Sequence, residues 1–223
     1  MPQLGLVRHG QAPFGAADYD VLSELGARQA VATRAALDAR GVRPTRVVCG
    51  SMRRQLDTAA AWRDYAEIKV DAGWNEYDSA DVLGAHGHPG VSLESPDHEA
   101  GGAPDSRAFQ AVLDEALIAW IGAGNASAAR ESWPAFESRV RGALTAAASG
   151  LDSGQTCLVV SSAGTIAACC VALLGLPAEH LIGFNRVAIN AAVTKVAIGS
   201  SGVTLVSFNE HGHLEAESLV TYR

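Results

Sequence analysis

The residues best equipped for chemistry come early in the chain. Leu4-Gly5-Leu6-Val7-Arg8-His9-Gly10-Gln11 is a short apolar run that stops at Arg-His-Gly. This is the pattern of a buried strand delivering two reactive side chains to the carboxyl edge of a sheet, where open α/β sheets bind ligands. Arg8 offers a rigid fork of donors suited to phosphate or carboxylate, and Gly10 allows a sharp turn and close backbone approach to a ligand. His9, between them, is available as a nucleophile. Further along, Ser51, Arg54 and Thr58 share one face of an expected helix at spacings i, i+3 and i+7. Ser162 stands at a strand-to-helix turn.

Positioning these side chains takes a sheet with helices on both faces. After the first strand, Gln11 to Leu22 reads as a loop with Pro13, Gly15 and the aspartates Asp18 and Asp20. Ser23 reads as a helix N-cap, with Leu25, Ala32, Ala36 and Ala39 on one apolar face and Gly41 ending the helix. Thr45 to Gly50 reads as the second strand, Ser51 starts a helix through about Tyr65, and Ile68 to Val70 makes a third strand. The Gly-, Pro-, His- and Asp-rich stretch from Gly73 to Asp105 reads as irregular, either a functional lid or a mobile segment. Two helices follow, one carrying Phe109, Val112, Leu113, Ala116, Leu117 and Trp120, the other starting at Trp133-Pro134 and burying Phe136, Val140, Leu144 and Ala147. Together they could form a cap. Thr156 to Ser161 is the clearest buried strand, followed by an apolar helix from Ala163 to Leu174 that Gly175 closes. Ala188 to Ile198 and Val203 to Phe208, joined by Gly199-Ser200-Ser201-Gly202, read as a closing hairpin. The expected fold is α/β, a three-layer α/β/α sandwich with a mostly parallel central sheet. It forms a single domain over residues 1–223, with a helical cap insertion at about 78–148.

Composition narrows the function classes. With 223 residues, 48% of them hydrophobic, the chain can build one sizeable core. A net charge of -7 argues against a nucleic-acid surface, which needs a concentrated basic patch, but not against a phosphate substrate held by a few converging arginines. No apolar stretch approaches the roughly 20 residues that span a bilayer, and no basic start precedes a long apolar run, so a cytoplasmic protein without a membrane partner is expected. Cys49, Cys157, Cys169 and Cys170 have no Cys-x-x-Cys spacing and read as reduced core residues. His86 and His88, with His98 and Asp81 or Asp97, are the strongest metal candidates, but lack helical or strand spacing. His211-Gly212-His213 reads as a turn. A homo-oligomer stays open.

Arg8-His9-Gly10 resembles the Arg-His-Gly signature of the histidine phosphatase superfamily, also called phosphoglycerate mutase-like, in which that histidine is phosphorylated during turnover. Ser51-Met52-Arg53-Arg54-Gln55-Leu56-Asp57-Thr58-Ala59 is similar to the family's Ser-x-x-Arg-x-x-x-Thr-Ala pattern, which makes Arg54 the second phosphate-binding arginine. In Trp74-Asn75-Glu76-Tyr77-Asp78, Glu76 matches the family's proton donor, with Asp78 as a second choice. The chain departs from the family at Val159-Val160-Ser161-Ser162-Ala163-Gly164-Thr165, where Ser162 occupies the place of a second histidine. The start Arg8-His9-Gly10-Gln11-Ala12, with Phe14-Gly15, is similar to a branch carrying Ser-Gly-Gly there.

The resemblance implies a two-step phosphoryl transfer to water from a small phosphomonoester, with no cofactor and no metal. Neutral His9 attacks phosphorus, Arg8 and Arg54 hold the equatorial oxygens, and Glu76 protonates the leaving alcohol. Ser162 donates one hydrogen bond and Ala163 opens a helix whose free N–H groups face the anion. Losing one well-placed donor costs roughly 3 to 4 kcal/mol, so the substitution predicts a slow enzyme. Three other readings stand beside this one. A mutase is disfavoured because Pro13 to Tyr19 lacks the Asn-, Phe- and Trp-rich segment of mutases. A binding protein for phospho-ligands without turnover is consistent with Ser162. A serine hydrolase using Ser162 and His211 lacks the first glycine of Gly-x-Ser-x-Gly, where Val160 stands.

Overall fold

Six strands form one mixed sheet in a computed structural model of the protein, which describes residues 1–13, 20–91, 106–200 and 202–222. They are β1 (Gln3–Arg8), β2 (Arg46–Cys49), β3 (Ile68–Val70), β4 (Thr156–Ser161), β5 (Val193–Gly199) and β6 (Gly202–Glu210), in spatial order β3-β2-β4-β1-β5-β6. The first four are parallel, whereas β5 runs antiparallel to β1 and β6 antiparallel to β5. The mostly parallel sheet and its closing hairpin are as expected.

The described helices are α1 (Glu24–Ala39), α2 (Arg53–Ala59), α3 (Ser79–Ala85), α4 (Ser106–Ala123), α5 (Trp133–Ala148), α6 (Ala163–Leu174), α7 (Leu181–Val187) and α8 (Gly212–Glu215). Side chains alternate between the two faces of a strand, so each buried strand feeds two cores. Leu4, Leu6, Cys157 and Val159 pack with Val140 and Leu144 of α5 and Ile166 and Cys169 of α6. Val7, Val47, Leu158 and Val160 pack on the other side with Leu37 of α1, Ala59 of α2 and Trp62. This is the three-layer α/β/α arrangement. Each fully buried aliphatic side chain stabilises it by about 1.5 to 3 kcal/mol.

Local details differ from the sequence reading. The buried face of α1 is Gly26, Gln29, Ala30, Thr33 and Leu37, rotated from the expected alanine face because two polar side chains, Gln29 and Thr33, find buried partners. Helix α2 begins at Arg53, after an exposed Ser51 whose N–H donates to Asn75 Oδ1 at 2.7 Å. The Gly73–Asp105 stretch contains α3, and residues 92–105 lie outside the described residues. Residues 188–192 are not strand: Ala191 sits at φ 58°, in the left-handed region, and β5 begins only at Val193.

The sheet's registry explains why distant residues meet. Arg8 pairs with Ser161, and Cys49 pairs with Val160 and Val70. The four parallel strands therefore end at one edge. Immediately beyond β1, β2, β3 and β4 come His9, the turn into α2, the 71–76 turn and Ser162, respectively.

Candidate functional site

His9 continues the ladder beyond β1: its N–H donates to Ser161 O at 2.8 Å, and its carbonyl accepts from Asn190 Nδ2 at 3.2 Å. The ring is 2% exposed. Its Nδ1 lies 2.7 Å from Gly10 O, and a carbonyl can only accept, so Nδ1 carries the proton. The lone pair is then on Nε2, which accepts from Arg54 Nε at 3.3 Å. Burial, then the guanidinium groups of Arg54 and Arg8, push His9 well below the usual histidine range, against the pull of the Gly10 carbonyl. The side chain is a neutral imidazole with a defined tautomer.

Arg8 and Arg54, both 7% exposed, flank it. Arg8 Nη1 donates to Ala188 O at 2.5 Å and to Tyr222 O at 2.8 Å, so one nitrogen is fixed by backbone carbonyls. Arg54 Nη1 donates to Asp20 Oδ1 at 2.8 Å, and the same carboxylate accepts the N–H of Arg53 at 2.9 Å. Sequence reasoning noted Asp20 without assigning it a partner. Asp18 and Phe14-Gly15 lie outside the described residues. The glycine of Arg-His-Gly is required for a different reason from the one expected. A Cβ on Gly10 would lie 2.3 Å from Gly26 O, so it is the backbone of α1, not a ligand, that comes close. The Gly10 N–H donates to Thr58 Oγ1 at 3.0 Å, which ties the turn to α2.

Glu76 reaches the same place from the 71–76 turn. Its Oε2 accepts from Gly164 N at 2.7 Å and its Oε1 from Thr165 Oγ1 at 3.3 Å. Burial pushes the carboxyl above the usual range, while the Gly164 N–H and the Arg54 charge pull it down. Gly164 is needed here, since a Cβ on it would lie 2.4 Å from the Tyr77 ring and 2.6 Å from Glu76 Oε1. One amide at the start of α6 is therefore taken by Glu76 rather than left for an anion. Ser162 is 1% exposed, and its Oγ accepts from Gln55 Nε2 at 2.8 Å. It stands at the N-cap position of α6 without a side-chain capping bond. Asp78 caps α3 through Asp81 N at 3.0 Å and pairs with Arg130 at 2.9 Å, so its carboxylate is engaged by both, and the residue lines the same cavity as His9.

A cleft of about 330 Å³ contains Arg8, His9, Arg54, Glu76, Ser162 and Ala163. The residues that the family resemblance singled out for catalysis and phosphate binding thus share one cavity. Tyr77, Phe109, Leu113, Asn185, Arg186 and Tyr222 also line it. Of these, Asn185, Arg186 and Tyr222 were missed, the first two because they lie on α7, a seven-residue helix without a strong apolar period, and Tyr222 because its contact with Arg8 spans 214 positions. Gln55 was missed because nothing in its spacing marks a partner 107 positions away. Ser162 meets an amide rather than a base. His211 instead places Nδ1 against Asn209 O at 2.7 Å and Nε2 3.5 Å from Glu215, so the two do not form a nucleophile and base pair. Among the described residues no three His, Cys, Asp or Glu side chains gather to hold a metal ion. His86 bonds Ser127 Oγ at 2.9 Å, and Asp97 and His98 lie outside the described residues. The four cysteines are buried and none is in a disulfide. No described helix is long and apolar enough to cross a membrane.

Comparison with known proteins identifies the family. A glucosyl-3-phosphoglycerate phosphatase of Mycolicibacterium vanbaalenii is 30% identical over 190 residues, covering 80% of this chain and 76% of that protein. The native structure of a mycobacterial glucosyl-3-phosphoglycerate phosphatase superposes with a TM-score of 0.63 at 25% identity, covering 94% of this chain and 99% of the other. A putative α-ribazole-5'-P phosphatase from Escherichia coli shares the fold, with a TM-score of 0.62 at 22% identity over 93% of this chain and 96% of that one. The sequence profile of the histidine phosphatase superfamily (branch 1) matches residues 4–211, nearly the whole length. The chain therefore belongs to the histidine phosphatase superfamily.

Proposed function

We propose that the protein hydrolyses a small phosphomonoester through a phosphohistidine on His9. The observation that carries this reading is the His9 tautomer: Nδ1 faces the Gly10 carbonyl, so the Nε2 lone pair is directed at Arg54, where a phosphoryl group would be held. In the first step Nε2 forms a bond to phosphorus, the ester P–O bond breaks, and Glu76 gives its proton to the departing alkoxide. In the second, water attacks phosphorus, its proton goes to the Glu76 carboxylate, and the P–N bond breaks to release phosphate. Arg8 and Arg54 offset the charge on the equatorial oxygens in both steps. Ser162, whose oxygen already accepts from Gln55, directs its O–H to a phosphoryl oxygen, and the Ala163 N–H adds a second donor.

The whole chain, residues 1–223, acts on this reading as one domain with residues of about 78–148 as a cap. Phe109 and Leu113 of α4 support that role, since these apolar side chains line the cleft that holds His9. The leaving group binds there. A phosphoglycerate ester bearing a sugar, the substrate named for the 30% identical relative, is the first natural compound to assay. Ser162 also favours a second reading, a phospho-ligand binding protein without turnover.

One experiment separates the two readings: phosphate release from 4-nitrophenyl phosphate by the natural chain, His9→Ala and Ser162→His, without added metal. Release that disappears in His9→Ala and rises on the order of 100-fold in Ser162→His supports the slow phosphatase. Release no higher than in His9→Ala for both other proteins leaves the binding protein.

A further inference from the structure

The turn that carries Glu76 is gripped at four consecutive carbonyls. Trp74 O accepts from Ser161 Oγ at 2.7 Å and from Gln55 Nε2 at 3.2 Å, and Asn75 O accepts from Thr165 Oγ1 at 2.9 Å. These donors come from the core side, from β4, α2 and α6. A single guanidinium grips from the other side. Arg139 Nη1, on α5, lies 3.2 Å from Ala72 O, 3.0 Å from Gly73 O and 2.9 Å from Asn75 O. Arg139 is itself held: Nε and Nη2 fork onto Glu131 at 2.7 and 2.8 Å, and its guanidinium carbon lies 5.1 Å from the centre of the Phe136 ring.

We propose that Arg139 is a positioning residue for Glu76, so that α5 sets the placement of the catalytic acid. This rests on the reading of Glu76 as the proton donor. A guanidinium is suited to the task because its donors lie in one rigid plane, two for the carboxylate and one end for the carbonyl cluster. Glu76 is the next residue after Asn75, so any play in the Asn75 carbonyl moves the carboxyl directly. Arg139 is not among the groups that shift the Glu76 carboxyl, whose causes are burial, the Gly164 and Tyr77 amides, Arg54 and Arg8. Its influence is therefore on where the acid stands. A misplacement on the order of 1 Å can cost roughly 100-fold where proton transfer is in the rate-limiting step.

The test uses aryl phosphates of graded leaving-group acidity, from 2,4-dinitrophenyl to phenyl phosphate, each variant compared with the natural chain on the same ester, because a good leaving group departs without a proton. The value of kcat/KM reports the step in which the alcohol leaves. Arg139→Gln is expected to lower kcat/KM for phenyl phosphate on the order of 10- to 100-fold and for 2,4-dinitrophenyl phosphate by no more than about twofold. Glu76→Gln is expected to show the same split, larger. Equal losses on both esters in Arg139→Gln, while Glu76→Gln keeps its split, overturn the positioning role. Absence of a split in Glu76→Gln instead removes the acid reading on which it rests. Where Arg139→Gln melts below the assay temperature, Glu131→Gln replaces it. That variant leaves the carbonyl contacts but loosens the fork, so it should show a smaller split of the same sense, and no split would overturn the proposal.

Discussion

His9 and Glu76 line one cleft, yet burial drives their proton affinities in opposite senses, because it penalises whichever form is charged. His9 is pushed down and stays neutral to a lower pH than an ordinary histidine; Glu76 is pushed up and stays protonated to a higher pH than an ordinary glutamate. On the proposed mechanism, the nucleophile needs the first condition and the acid needs the second. The expected kcat/KM profile is a bell, with an acid limb where His9 gains its proton and an alkaline limb where Glu76 loses its own. For 2,4-dinitrophenyl phosphate the alkaline limb should vanish, and in Glu76→Gln it should vanish for phenyl phosphate too. Persistence of that limb in Glu76→Gln would assign it to another group. The residues that meet in the cleft were legible, since Arg8, His9, Arg54, Glu76 and Ser162 could be picked out by type and by the family pattern. Their partners were not: Gln55, Asn190 and Arg139 act across long sequence separations, and no local period records such a contact.

At the scale of elements, the placement of α1 against the Arg-His-Gly turn depends on two glycines facing one another. A Cβ on Gly26 would lie 2.2 Å from Gln11 O, as one on Gly10 would lie 2.3 Å from Gly26 O. Gly26 is in the first turn of α1, where alanine would ordinarily be favoured by up to about 1 kcal/mol. Here the contact reverses the sign: Gly26→Ala should destabilise by about 1 to 3 kcal/mol, as overpacking does, and lower phosphate release by shifting His9. Gly142 is the internal control, exposed in the middle of α5 with nothing within 4 Å of a Cβ. Gly142→Ala should stabilise by up to about 1 kcal/mol. Chemical denaturation of both variants checks the pair; equal signs would mean that α1 can retreat without cost. Long, strongly periodic elements such as α4, α5 and the β4–α6 unit were readable from their apolar pattern. The seven-residue helices α3 and α7 were not, because so few turns carry too little periodicity to stand out from a polar loop. Nor was the end of the 188–192 stretch, where the apolar run suggested a strand but Ala191 adopts a left-handed backbone.

On the scale of the whole molecule, alternation of strands and helices made the parallel sheet legible, but not the order β3-β2-β4-β1 or the way residues far apart in the chain close on the site. The first strand and the last described residues meet there. Arg8 Nη1 donates to Tyr222 O, Thr221 Oγ1 donates to Asn190 Oδ1 at 3.0 Å, and Asn190 Nδ2 holds the His9 carbonyl. Gln29 of α1 secures the same segment, donating to Leu219 O and Thr221 Oγ1, both at 2.7 Å. A buried cation between β1 and this segment needs those carbonyls, because desolvation without hydrogen bonds would be costly. Deleting Thr221–Arg223 removes one carbonyl from Arg8, the Thr221 hydroxyl and carbonyl that hold Asn190, and Tyr222 from the cleft lining, while leaving the sheet and the Leu219 contact in place. A hydrogen bond to a charged group contributes about 1.5 to 3 kcal/mol, so competitive inhibition by inorganic phosphate should weaken on the order of 10-fold or more in the truncated chain. The measurement is the phosphate inhibition constant beside a thermal melt. Weaker inhibition with a cooperative melt shows that the segment holds Arg8 in its phosphate-binding pose, whereas an unchanged inhibition constant shows that Ala188 O and the rest of the cleft suffice.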